Sequence, residues 1–189
     1  FPFPGEIGEN ETGASLGGLA ETNIAYVVAL NYGDRTSNIR DIYMKFLLKD
    51  EFSMQYTRLN RLTNYEEDGK YTGGTPMLAS MGMDGGYILW NVKDRSGYTA
   101  AEDRISYVYY DSEGDVSAVT TTQGALSDCQ PILYGDKIIW YVTDNSVPVF
   151  YILDESGVSS VKAGVSLEGN SYLIRSLQIL GGNGQILES

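Results

Sequence analysis

Histidine is absent from this 189-residue chain, and cysteine occurs once. The first absence removes the commonest general base at neutral pH and the commonest transition-metal ligand. Ser-His-Asp and Cys-His catalysis cannot be assembled from the chain's own residues. The single thiol, Cys129, leaves no internal disulfide and no thiolate zinc site. It comes just before an apolar stretch beginning at Pro131 and is expected to be a small buried residue. One cysteine suits a cytosolic protein, and also a secreted protein of a bacterium that does without disulfides. Long apolar runs are missing too. The longest, such as Ile24 to Leu30, fall far short of the roughly 20 residues that cross a bilayer, so no membrane insertion is expected. Residues 1–20 have neither a basic start nor a hydrophobic run and do not read as a signal peptide. The chain opens on Phe1 instead of methionine, which points to a processed or excised product and keeps an exported origin open.

Basic residues are scarce, 13 Lys and Arg against 25 Asp and Glu, giving a net charge of −12. A polyanion repels phosphate backbones and anionic headgroups, so no nucleic acid is expected as a partner. Hydrophobic residues make up 42% of the chain, enough for a core and too many for a disordered segment. The 22 glycines mark frequent turns, and the 15 tyrosines favour strands and half-wet surfaces. Runs rich in Ala, Leu, Glu and Lys are largely missing. The composition predicts an all-β protein.

Two stretches repeat one another. Pro76 to Gly114 runs through Tyr87-Ile88-Leu89-Trp90 and then Ile105-Ser106-Tyr107-Val108-Tyr109-Tyr110-Asp111-Ser112-Glu113-Gly114. Pro131 to Gly157 runs through Ile138-Ile139-Trp140-Tyr141-Val142 and then Val149-Phe150-Tyr151-Ile152-Leu153-Asp154-Glu155-Ser156-Gly157. Repetition on this scale signals stacked copies of one supersecondary unit. The spacing is uneven: Trp90 and Trp140 lie 50 residues apart, Asp111 and Asp154 only 43.

Strands are predicted at Ile24–Leu30, Ile42–Leu48, Phe52–Leu59, Met77–Ser80, Gly86–Val92, Arg104–Tyr110, Val116–Thr121, Ile132–Tyr134, Ile138–Val142, Val147–Leu153 and Val158–Lys162. A helix over 42–62 competes, because Met44, Leu48, Phe52, Leu59 and Leu62 fall near a helical stripe. Residues 1–22 read as an extended N-terminal segment. Blade-like repeats fill 23–162, as units over about 23–62, 76–121 and 131–162. The remaining 163–189 form a C-terminal strand and hairpin segment, with Gly181 to Gly184 as the turn. Apolar side chains on both faces of Ile138–Val142 and Val149–Leu153 imply sheets held between neighbours.

At Pro76–Gly114 and Pro131–Gly157 the chain resembles β-propeller proteins of the TolB-like and WD40-like kind. Their blades read as proline, strand, turn, an Ile-X-Tyr/Trp strand, and an aromatic strand ending Asp-X-X-Gly. Asp111 to Gly114 and Asp154 to Gly157 match that ending, and Asn38 to Tyr43 and Arg58 to Thr63 look like further pieces of a blade. The resemblance implies antiparallel blade-like sheets, in a partial propeller or a fragment of one. Three units cannot close a ring, which takes about 4–8 blades. Part of a larger propeller, completion by several chains and an open β-sandwich are the alternatives.

No residue stands out as catalytic, cofactor-binding or metal-binding. Asp111, Glu113 and Asp115 place three carboxylates in five residues, but the full calcium-loop pattern is absent and a hairpin turn accounts for them. Glu66, Glu67 and Asp68 read as a solvated loop, with half of a cation or sugar site as the other reading. Gly82 to Gly86 lacks the lysine and strand–helix setting of a phosphate loop. Trp90 and Trp140 are expected in the core on matching middle strands. The alternative is an exposed platform for sugar rings, with Tyr87, Tyr98, Tyr107 and Tyr109. The expectation is a non-enzymatic binding or structural module of a bacterial secreted or cell-envelope protein, with a protein or glycan partner and self-association through exposed end sheets. The competing expectation is a carbohydrate-active enzyme, or part of one, using paired carboxylates.

Overall fold

The computed structural model describes residues 15–33, 38–49, 57–95, 104–126, 131–144, 147–162, 179–180 and 186–188. The chain divides into two compact units, Phe1–Gln123 and Gly124–Ser189. Both are all-β and antiparallel. The first holds two sheets. Sheet 1 is a meander of β1 (Ser15–Glu21), β2 (Ala25–Tyr32), β3 (Asp41–Leu48) and β4 (Thr57–Arg61), neighbours in chain order. A single helical turn, α1 (Tyr65–Asp68), follows. Sheet 2 comprises β5 (Tyr71–Gly73), β6 (Met77–Ser80), β7 (Gly85–Asp94), β8 (Arg104–Asp111) and β9 (Thr120–Gln123). Strands β6 to β9 form the meander, and β5 pairs with the far end of β7.

The competing helix over 42–62 does not form. Ile42, Met44 and Phe46 are buried while Tyr43, Lys45 and Leu47 between them are half-buried, so a period of two prevails in β3. Of the strand expected at Phe52–Leu59, residues 57–59 lie within β4, and residues 52–56 lie outside the described residues. Inside the stretch read as an extended N-terminal segment, Ser15–Glu21 is a paired strand. Its glycines allow a close approach. A Cβ on Gly17 would lie 2.0 Å from the Pro76 carbonyl oxygen, and one on Gly18 would lie 3.2 Å from Leu78 Cβ. The strand expected at Val116–Thr121 begins only at Thr120. The Ser117 hydroxyl takes the Tyr109 N–H at 2.9 Å, replacing a ladder rung and leaving Val116 as an isolated bridge to Tyr110.

The core of this unit lies between its two sheets. Ala25, Val27, Ala29, Ile42, Met44 and Phe46 of sheet 1 join Ile88, Trp90, Val92, Val108 and Tyr110 of sheet 2 in one buried cluster. Backbone hydrogen bonds show which faces meet. On a strand of L-residues, those whose N–H and C=O point to one side all project from one face, so bonding direction labels the face. The Ile24 carbonyl accepts from Lys49 on the β3 side, and the Ala25 carbonyl accepts from Thr22 on the β1 side. The buried Val27 and Ala29 therefore bond back toward β1. In β7 the Gly85 and Asn91 carbonyls accept from Met81 and Gly74, on the side of β6 and β5. Ile88, Trp90 and Val92 therefore bond forward toward β8. The sheets share one strand order, so the backward-bonded face of the first packs on the forward-bonded face of the second. The stack has a direction, unlike a sandwich of equivalent faces.

The second unit holds sheet 3, a meander of β10 (Ile132–Tyr134), β11 (Lys137–Asp144), β12 (Val147–Asp154) and β13 (Gly157–Lys162), and a two-stranded hairpin of β14 (Ile179–Leu180) and β15 (Ile186–Glu188). Gly181 to Gly184, the expected hairpin turn, lie outside the described residues, as does Cys129. The Gly135-Asp136 turn pairs Tyr134 with Lys137, which bonds Lys137 backward and Ile138 and Trp140 forward, toward β12. Trp140 thus projects from the same face of its sheet as Trp90. Both are on second strands and fully buried. Their levels differ. Trp90 sits opposite Ser106, five residues before Asp111, and Trp140 opposite Tyr151, three residues before Asp154. A two-residue slip keeps the face and changes the height, which accounts for part of the uneven repeat spacing.

Candidate functional site

The densest polar cluster among the described residues centres on Asp41, at the start of β3. Its side chain is buried, yet it accepts from four groups. Oδ1 takes the Thr63 hydroxyl and the Tyr65 N–H at 2.6 Å each, and Oδ2 takes Arg61 Nη2 at 2.6 Å and the Glu66 N–H at 3.4 Å. The Thr63 hydroxyl in turn accepts the Ile42 N–H at 2.9 Å. These contacts start α1. Asn64, in the capping position, makes no side-chain bond to it, so a carboxylate from another strand serves the exposed N–H groups. Glu66, Glu67 and Asp68, expected in a loop, form that single helical turn, closed by Gly69 at φ 65. Their acidity suits a helix N-terminus, and Glu66 also meets Arg61 at 3.4 Å.

Tyr65 carries the cluster into the core. Its hydroxyl accepts Trp90 Nε1 at 3.0 Å, and burial raises its pKa above the usual phenol value. On the same face of sheet 2 as Trp90, Ser106 and Thr121 share a 2.6 Å hydroxyl contact. Trp140 Nε1 is satisfied differently, by the Ala125 carbonyl at 2.8 Å, and its ring stacks on Tyr151 at 5.4 Å. Neither tryptophan is available as an exposed platform. Of the tyrosines in that reading, Tyr87 meets Tyr109 at 5.4 Å and Tyr107 at 6.2 Å, both edge-on, and all three are half-buried. Tyr98 lies outside the described residues.

The two Asp-X-X-Gly endings share one device. Asp111 Oδ1 accepts the N–H groups of Glu113 and Asp115, each at 2.9 Å, with Gly114 at φ 83. Asp154 Oδ1 accepts the Ser156 N–H at 2.9 Å, and its Oδ2 meets Lys137 at 3.0 Å. The Ser156 hydroxyl bond, with Lys137, brings the Asp154 pKa down to about 2. Each aspartate turns its Oδ1 to the N–H groups of its own turn. Asp115 points to Arg58 at 3.4 Å, and no group of three or more ligating side chains among the described residues could hold a metal ion. Asp41 is the carboxylate that sequence reasoning passed over. The signal available was a charge at the head of the apolar run Ile42 to Leu48, which only the return of Arg61 and Thr63 makes sense of.

Tyr110 is the exception to this polar accounting. It is fully buried, and its hydroxyl has no hydrogen-bond partner. Burial raises its pKa far above the usual value. It stands opposite Gly86, where a Cβ would lie 2.7 Å from the hydroxyl oxygen, so the missing side chain makes room for the phenol. No helix among the described residues is long and apolar enough to cross a membrane. No protein-family model, curated protein or solved structure matches the chain.

Proposed function

We propose that the chain is a non-enzymatic binding or structural module, a run of β-propeller-like blades from a bacterial secreted or cell-envelope protein, whose partner is a protein or a glycan. One observation carries this reading: the directional stacking of sheet 1 on sheet 2, with buried tryptophans on the forward-bonded faces of β7 and β11. Blades around an axis stack in this one-way sense, and innermost first strands lie close together, as the glycines of β1 do against Pro76 and Leu78. The acidity and the lack of histidine are compatible with an exported bacterial setting. Asp41, Asp111 and Asp154 are taken up by structure, which supports a non-enzymatic role for these three carboxylates.

The test is calorimetric titration of the purified chain with a panel of bacterial wall and extracellular glycans, alongside time courses with glycan and peptide substrates. Saturable binding without turnover is the expected result. Repeated turnover that a single carboxylate-to-amide change abolishes would overturn the reading.

A further inference from the structure

The cations of this acidic chain are of two kinds. Lys49, Arg58, Arg61, Lys137 and Lys162 meet Glu21, Asp115, Asp41, Asp154 and Asp144 respectively, at 2.6 to 3.4 Å. Lys70, Lys93 and Arg95 are exposed and form no ion pair among the described residues. Acids outnumber bases 25 to 13, so a cation without a carboxylate is unexpected, and three in one place more so. The fold gathers these three at one end of sheet 2. The Arg95 N–H donates to the Lys70 carbonyl at 2.9 Å, which carries the β5–β7 pairing one step beyond both strands. Lys93 stands opposite Thr72, and Asp94 opposite Tyr71. Strand alternation puts Lys93 and Arg95 on one face, roughly 7 Å apart, and Asp94 on the other. Lys70 Nζ lies 4.9 Å from the centre of the Tyr71 ring, a contact that steadies the ammonium and leaves its charge in place.

We propose that this end of sheet 2 binds an acidic glycan, a linear polymer with a carboxylate on each sugar, through Lys70, Lys93 and Arg95. The inference rests on the binding-module reading above and names the chemistry of the partner. Charge complementarity selects a polyanion, because cations without an internal counter-charge are left to pair with one outside. The acids elsewhere on the chain do not cancel this, since at physiological salt their fields fade over about 8 Å. A protein partner fits less well. Interface centres are built on large apolar and aromatic side chains and are poor in lysine, and none of the large apolar side chains that stand exposed lies on β5 or β7. Single-stranded nucleic acid also fits less well. Its bases need open aromatic faces, and the Tyr71 ring is already met by Lys70 and, edge-on, by Tyr65.

Calorimetric titration of the purified chain with oligogalacturonate, at low and at physiological salt, tests this. Neutral dextran, poly-glutamate and oligothymidylate are the comparison ligands. Saturable binding of oligogalacturonate, weakened by salt and tighter than that of the other three, is the expected result. Lys93→Gln with Arg95→Gln should weaken it at least about tenfold. Lys137→Gln with Lys162→Gln removes as much positive charge from paired sites and should leave it unchanged. In the wild type, amide shifts on titration should centre on Lys70, Thr72, Lys93 and Arg95, a readout that needs no variant to fold. No binding of oligogalacturonate, equal losses from the two double variants, or tighter binding of poly-glutamate or oligothymidylate would each overturn the proposal. Dextran bound at other residues refutes this site alone and leaves the binding-module reading standing. Turnover of oligogalacturonate held at these cations would overturn the non-enzymatic reading and support the site.

Discussion

The Trp90 indole N–H donates to the Tyr65 hydroxyl across 3.0 Å, tying the middle strand of sheet 2 to the helical turn that Asp41 holds. A chain of contacts thus runs from the β3 terminus to the centre of the core. Tyr65→Phe leaves a fully buried indole N–H without an acceptor and should cost about 1–3 kcal/mol. Trp90→Ala should cost about 3–5 kcal/mol, because it also opens a cavity. Urea denaturation of both single variants and the double variant measures the pair. The double should cost less than the two singles together.

Asp41 serves four donors while Arg61, its partner, is partly exposed. Removing the buried member should therefore hurt more than removing the exposed one. Asp41→Ala strands the Tyr65 N–H and the Thr63 hydroxyl and is expected to cost roughly 3 kcal/mol or more, whereas Arg61→Ala should cost about 1 kcal/mol. Equal losses from the two variants in thermal unfolding would show that the ion pair dominates and the capping bonds do not.

Tyr110→Phe deletes a hydroxyl that has no partner, so it should be neutral or stabilising, unlike most changes to a buried tyrosine. Gly86→Ala should destabilise the chain, since the new methyl would press on both the Tyr110 hydroxyl and the Ala79 carbonyl, 2.7 and 2.5 Å away. If Gly86→Ala is rescued by Tyr110→Phe, the two positions share that space.

Alkali above about pH 10 should destabilise the fold. Burial raises the pKa of Tyr65 and Tyr110, so their neutral forms are favoured in the folded state. The unfolded phenols ionise near pH 10, and the folded ones resist. Stability is therefore fully present below about pH 10 and falls as pH rises above it. Tyrosinate absorbance followed with far-UV circular dichroism should show a late, cooperative fraction that appears only as the sheets are lost. Full ionisation before any loss of structure would contradict the burial of these phenols.

The all-β class and most strand positions were legible in the chain because Tyr, Ile and Val alternate or cluster between turn residues, as in Gly85–Asp94 and Lys137–Asp144. The Asp-X-X-Gly turns could be read for the same reason: the device is local and needs only its own backbone. Strand β1 was not legible, because Leu-Gly-Gly-Leu lacks strand propensity and is held by close packing on Pro76 and Leu78. Nor was the Asp41 cluster, in which Arg61 and Thr63 lie 20 and 22 residues from Asp41 and meet it through the β3–β4 pairing. The sense of stacking could not be read either, since it resides in which side of each strand the carbonyls face.

That sense of stacking carries the proposed function, and nuclear Overhauser effects read it directly. With the backward face of sheet 1 on the forward face of sheet 2, Gly114 lies against the Phe46 ring and Gly73 against Ile42. Cross-peaks from Gly114 Hα to the Phe46 ring protons, and from Gly73 Hα to the Ile42 methyl, are the predicted result. Cross-peaks from the Trp90 indole to Tyr26 or Val28, with none between Gly114 and Phe46, would place the opposite face of sheet 1 in the core and contradict the account.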